Sequence, residues 1–177
     1  ADDAARAAMQ SEMLEPYRTL LGHFRHESGH YYWSLMSHDA AISDAFADLL
    51  GDPNKDYAGS LERYYETGPP SDWQDGYISA YATAHPLEDW AETWGHYLHM
   101  LDALETAHAH QLLDKDGTTM NMSERIAAWQ QVSVMLNEMN RSVGGSDAYP
   151  FTISTGVARK LELVDGAMGY LQRRQTD

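Results

Sequence analysis

Residues His26-Glu27-Ser28-Gly29-His30 read H-E-x-x-H within a stretch of helical character. Helical residues advance about 100° each, so positions four apart share a face. On such a face both imidazoles reach one metal ion, and Glu27 stands beside a water bound to that ion. Zinc-assisted hydrolysis needs these parts: two neutral nitrogen ligands, a carboxylate base and an open coordination position. A catalytic zinc centre also needs a third protein ligand. The metzincin spacing H-E-x-x-H-x-x-G-x-x-H would place Gly at 33 and His at 36; Trp33 and Met36 stand there instead.

A carboxylate is therefore sought elsewhere, and Glu88-Asp89-Trp90-Ala91-Glu92 offers two on one helical face. One of Glu88 and Glu92 can bind zinc while the other accepts a hydrogen bond from a ligand histidine, which fixes the tautomer of the imidazole. Among the other histidines, His85 is a candidate for contact with a substrate oxygen, set against a role capping the helix that starts near Pro86. His23, one turn before His26, reads as structural, and His96 and His99 as packed helix residues. His38, His108 and His110 read as surface residues. Trp90 and Trp94, four apart, read as core, and Tyr31, Tyr32 and Trp33 as anchors of the metal-binding helix. Tyr64, Tyr65 and Trp73 either pack or line a groove, and the methionines fill gaps.

The elements that must position these groups are helical almost throughout. Residues 3–14 are Ala-rich and suit a short helix or a frayed arm. Glu15-Pro16 opens a helix running to about Met36, with Leu20, Leu21, Phe24, Tyr31 and Leu35 at helical spacing. Further helices are expected over Asp39–Leu50, up to the turn Gly51-Asp52-Pro53, and over Tyr57–Thr67, up to Gly68-Pro69-Pro70. Ser71 with Gln74 has the form of a capping box and predicts a helix over 72–84. Pro86 restarts the helix, to about Leu113. Asn121 with Glu124 caps another, to about Val143, where Gly144-Gly145 ends it. Residues 148–153 are expected to be briefly extended, and Ser154 or Thr155 caps a last helix to about Leu171. No repeat or linker interrupts this, so the expectation is one all-α domain of about seven helices over 1–177.

Composition bounds the partners. With 43% hydrophobic residues in 177, the chain has material for a core. A formal charge of −15 repels phosphate backbones, so nucleic acid is not an expected partner. No apolar run approaches the roughly 18 residues of a membrane span, so no membrane is expected either. There is no cysteine, hence no disulfide, zinc ribbon or thiol nucleophile. That absence and the lack of a charged-then-apolar leader make the cytoplasm the expected location. The first residue is Ala rather than Met, which leaves open a fragment or a removed signal.

Three segments carry a resemblance to a known family. Leu20-Leu21-Gly22-His23-Phe24-Arg25, followed by the H-E-x-x-H residues and Tyr31-Tyr32-Trp33, is the first. Ser79-Ala80-Tyr81-Ala82-Thr83-Ala84-His85-Pro86, followed by Glu88-Asp89-Trp90-Ala91-Glu92-Thr93-Trp94, is the second, and Asp147-Ala148-Tyr149-Pro150-Phe151 the third. Together they resemble the bacterial "putative zinc-binding metallopeptidase" family over roughly residues 15–170. Members of that family often carry an amino-terminal zinc ribbon, and this chain resembles the catalytic part alone. The E-x-x-A-E segment is also similar to that of gluzincins of the lethal-factor type. The chain departs from gluzincins in the long stretch, 31–87, between His30 and Glu88, and in showing no edge strand of the kind that docks peptides.

The resemblance implies a compact zincin-like domain and a hydrolase acting on a peptide or protein substrate. It implies one zinc ion held by His26, His30 and Glu88, with Glu92 as the outer carboxylate. Tyr81, seven residues before Glu88, then stands where a tyrosine would donate to the reacting oxygen. In this reading zinc lowers the pKa of its water toward about 7. Glu27 takes the proton and passes it to the leaving amine. The competing expectation is a zinc-binding regulatory or interaction protein with little or no proteolysis; a purely structural zinc site has no use for Glu27.

Overall fold

The structure, a computed structural model, describes residues 19–174 and is helical, with no strand among them. Six α-helices run Leu20–Met36 (α1), Ala40–Leu50 (α2), Tyr57–Thr67 (α3), Pro86–Ala109 (α4), Met122–Ser142 (α5) and Thr155–Arg174 (α6). Short 3-10 turns lie at Trp73–Asp75, Tyr81–Thr83 and Gly117–Thr119. The expected arm over 3–14 and the helix start at Glu15-Pro16 lie outside the described residues.

Local chemistry explains the boundaries. Thr19 Oγ1 accepts from Gly22 N at the start of α1. Asp39 and Asp56 do the same for α2 and α3. Asn121 and Glu124 form the reciprocal capping box of α5, and Ser154 Oγ accepts from Val157 N at the head of α6. Gly51 and Gly68 end α2 and α3 with φ of 103° and 72°, where a side chain would be strained. Helix α4 stops at Ala109, short of the expected Leu113, because Gln111 turns into the left-handed region at φ 60° and Leu112 N closes back on Ala107 O.

One expected helix is absent. Residues 72–84 form two 3-10 turns joined by an irregular stretch, not one helix, and the first of them has no side-chain cap. Tertiary bonds outweigh the local pattern here. Ser154 Oγ donates to Asp75 O, Lys160 Nζ to Gly76 O, and Ser79 Oγ to Glu92 Oε2. Residues 148–153 join no ladder and run irregularly into α6.

Helix α4 is the axis of the molecule. Every residue from Glu88 to Tyr97 is buried, and α1, α5, α6 and the Tyr81–Thr83 turn pack around it. Trp33 stacks on Phe46 at 4.0 Å between ring centroids, and both meet Trp90. The crossing of α1 and α4 is close because Gly29 lies against Ala91. A Cβ on Gly29 would come within 3.0 Å of Ala91 Cα and 3.1 Å of Trp94 Cβ. Asp89, fully buried, is paired with Lys160 of α6 at 2.6 Å. Burial still pushes the Asp89 carboxyl up, to about 7, against the pull of Lys160.

Candidate metal centre

Helix α1 presents two faces. Its core side is His26, Gly29, Trp33 and Met36, all buried. The apolar set Leu20, Leu21, Phe24, Tyr31 and Leu35 has helical spacing but faces outward. Tyr31 therefore does not anchor the helix; Trp33, and Tyr32 stacked on Trp94, do. Helix α4 grips the pentapeptide between its histidines. Trp90 Nε1 donates to Gly29 O at 2.9 Å and Trp94 Nε1 to Ser28 Oγ at 3.0 Å. These bonds satisfy two buried indoles and fix the register of α1 on α4.

That register brings His26, His30 and Glu88 together. One ligand atom from each can be chosen so that all lie within 4.8 Å of one another, the only such metal-capable grouping among the described residues. The Nε2 atoms of His26 and His30 are 3.1 Å apart. Glu88 places Oε2 at 3.2 Å from His26 Nε2 and Oε1 at 3.5 Å from His30 Nε2. Glu88 is 1% and His26 4% exposed, so two of the three candidate ligand residues are buried and His30 alone is partly open.

The outer groups orient the inner ones. Glu92 Oε1 lies 2.6 Å from His26 Nδ1, and its Oε2 accepts from Ser79 Oγ at 2.7 Å. An ionised carboxylate can only accept, so Nδ1 carries a proton; a metal ion would displace the proton on Nε2, whose lone pair then faces His30 and Glu88. Two imidazole nitrogens and a carboxylate brought within 4.8 Å of one another fit a divalent cation, which would take the nitrogens in their deprotonated form. Burial alone would raise the carboxyls of Glu88 and Glu92. Hydrogen bonds from His26 and from Tyr57 or Ser79, together with nearby imidazoles, outweigh it and hold both below the usual range. Burial lowers His26, but its bonds to Glu88 and Glu92 prevail and push it up to about 9 in the absence of metal. His30 is held below its ordinary value, chiefly by burial.

Tyr57 is a member of the site that sequence reasoning missed. Its hydroxyl donates to Glu88 Oε1 at 2.6 Å from the first residue of α3. Burial and that carboxylate push the phenol well above its ordinary value. Tyr81 is buried, with its ring 6.1 Å from that of His26 and edge-on to Tyr64 at 5.6 Å. Glu27 is outside the buried set. Its side chain is 57% exposed, with His23 Nε2 3.8 Å from Oε1.

His85 caps α4: Nδ1 accepts from Leu87 N at 3.1 Å. Nε2 then carries the proton and donates to Lys55 O at 3.2 Å, which occupies both ring nitrogens. His96 is buried against Phe151 and bonds Tyr149 OH at 2.8 Å, and His99 bonds Gly95 O at 2.7 Å. A polar cavity of about 390 Å³ is lined by Arg63, Tyr64, His85 and Asp89 among others. It includes none of His26, His30 and Glu88, so it is separate from the candidate metal centre.

Comparison with known proteins gives the arrangement a family. Uncharacterized proteins of Mycobacterium bovis and of two strains of Mycobacterium tuberculosis are each 44% identical over 171 residues, covering 92% of this chain. The match takes in 50% of each relative, so the chain spans about half the length of the curated relatives it matches. No solved structure matches it significantly. A family model described as "Putative zinc-binding metallo-peptidase" matches residues 1–167, and the chain belongs to that family.

Proposed function

We propose that this chain is a zinc-dependent peptidase of the gluzincin type, with residues 1–177 as one catalytic domain. The observation that carries the reading is the convergence of His26, His30 and Glu88, with Glu27 next to His26 on the open side. His26, His30 and Glu88 would hold one zinc ion. When bound, zinc supplies Lewis acidity, polarising a carbonyl and making a water a better nucleophile. Glu27 accepts the proton of the attacking water and returns it to the leaving amine. Glu92 holds His26 in the ligand tautomer, Ser79 holds Glu92, and Tyr57 holds Glu88. Tyr81, packed beside His26, donates to the oxygen that gains charge.

The test is a peptide-library cleavage profile of purified, zinc-loaded protein. Cleavage that stops when a chelator strips the metal and returns with added zinc is the expected result. Cleavage that persists without metal, or no cleavage of any peptide by fully zinc-loaded protein, would overturn the reading.

A further inference from the structure

The outward face of α1 is apolar, and Glu27 lies within it. At about 100° per residue, positions 20, 24, 27, 31 and 35 fall within an arc of about 80°. Leu20 is 65%, Phe24 69%, Tyr31 60% and Leu35 46% exposed. Single exposed apolar residues need no explanation, but a continuous stripe marks an interaction surface. Glu27 stands on the helix between the metal-facing pair, His26 and His30, and the middle of this stripe. Phe24, one turn before Glu27, and Tyr31, one turn after, are the exposed large apolar side chains flanking it on that face.

A second observation narrows what binds there. No strand exists among the described residues, so among them a peptide finds no sheet edge to pair with, and exposed side chains are what they offer it. The chain's charge of −15 repels acidic segments. We infer that Phe24 and Tyr31 form the substrate-binding surface beside the candidate metal centre, selecting polypeptide segments with large apolar side chains flanking the scissile bond. This rests on the peptidase reading above.

Phe24→Ala and Tyr31→Ala test it, because both side chains are exposed and their loss spares the core. With a fluorogenic peptide carrying Leu or Phe beside the scissile bond, each variant should raise KM about tenfold with kcat retained. Zinc content should match the parent. Phe24→Leu should recover most of the loss, and Met139→Ala, which removes an apolar side chain 63% exposed on α5, should change nothing. Unchanged KM in both alanine variants, or a library profile favouring acidic or small flanking residues, would overturn the inference. So would conversion of a dimer to a monomer by these variants with KM unchanged, which would make the stripe an interface between copies. If the zinc-loaded parent cuts no peptide, the peptidase reading fails separately. Binding of a labelled Leu- and Phe-rich peptide to zinc-loaded protein, followed by anisotropy, then decides the surface. A tenfold weaker binding by Phe24→Ala supports it, and equal binding overturns it.

Discussion

The phenol of Tyr57 donates to Glu88 Oε1 at 2.6 Å, tying the start of α3 to a carboxylate that is otherwise sealed inside α4. Groups that hold a metal ligand in place commonly contribute 10–100-fold to metal affinity. Tyr57→Phe should therefore weaken zinc binding about tenfold in competition with a chromogenic chelator. Equal affinity in parent and variant would show that the bond does not position Glu88.

Glu88 and Glu92 both face His26 but from opposite ring nitrogens. Glu88→Gln should lose zinc on dialysis, whereas Glu92→Gln should retain it with affinity lowered by about 10–100-fold. Zinc content by elemental analysis separates the two. Greater loss in Glu92→Gln than in Glu88→Gln would exchange their roles.

Gly29 permits the close crossing of α1 over α4. Gly29→Ala forces a methyl group against Ala91 and Trp94 and should cost about 1–3 kcal/mol. For a domain of this length that lowers Tm by several degrees, roughly 2–4 °C per kcal/mol. Thermal unfolding of parent and variant at one zinc concentration checks it, and an unchanged or raised Tm would show that the two helices can separate without penalty.

His96 is buried, and burial first of all holds its imidazole down to about 4, against 6.5 when unfolded. Between those values the unfolded chain binds the extra proton, so stability is full above about pH 6.5 and falls as pH drops toward 4. The loss is on the order of 3 kcal/mol. Replacing His96 by Gln should flatten the fall of Tm between pH 6.5 and 4, even though other groups titrate there. An identical pH slope in parent and variant would remove His96 from the acid response.

Much of the candidate site's geometry was legible because its parts are local. His26 and His30, and Glu88 and Glu92, are each four apart on a helix, so chain chemistry alone aligns them, and α1 and α4 formed largely as expected. Tyr57 was not legible. It reaches Glu88 across the fold from another helix, and nothing in its neighbourhood marks it. The direction of α1 was hidden for a different reason. Helical spacing shows that Leu20, Phe24, Tyr31 and Leu35 share a face, but the face that packs is built on His26 and Gly29, which do not read as core. The region 72–84 read as a helix because its pattern is local, whereas its path is held by Ser79, Ser154 and Lys160, bonded across the fold.

The catalytic reading stands or falls most directly on Glu27→Gln, with zinc content and peptide turnover measured on the same samples. Glu27 bonds none of the three candidate ligand residues among the contacts described, so the variant should bind as much zinc as the parent. It should lose turnover by at least about 100-fold. A variant that keeps its zinc and cleaves as fast as the parent would contradict the assignment of Glu27 as the base.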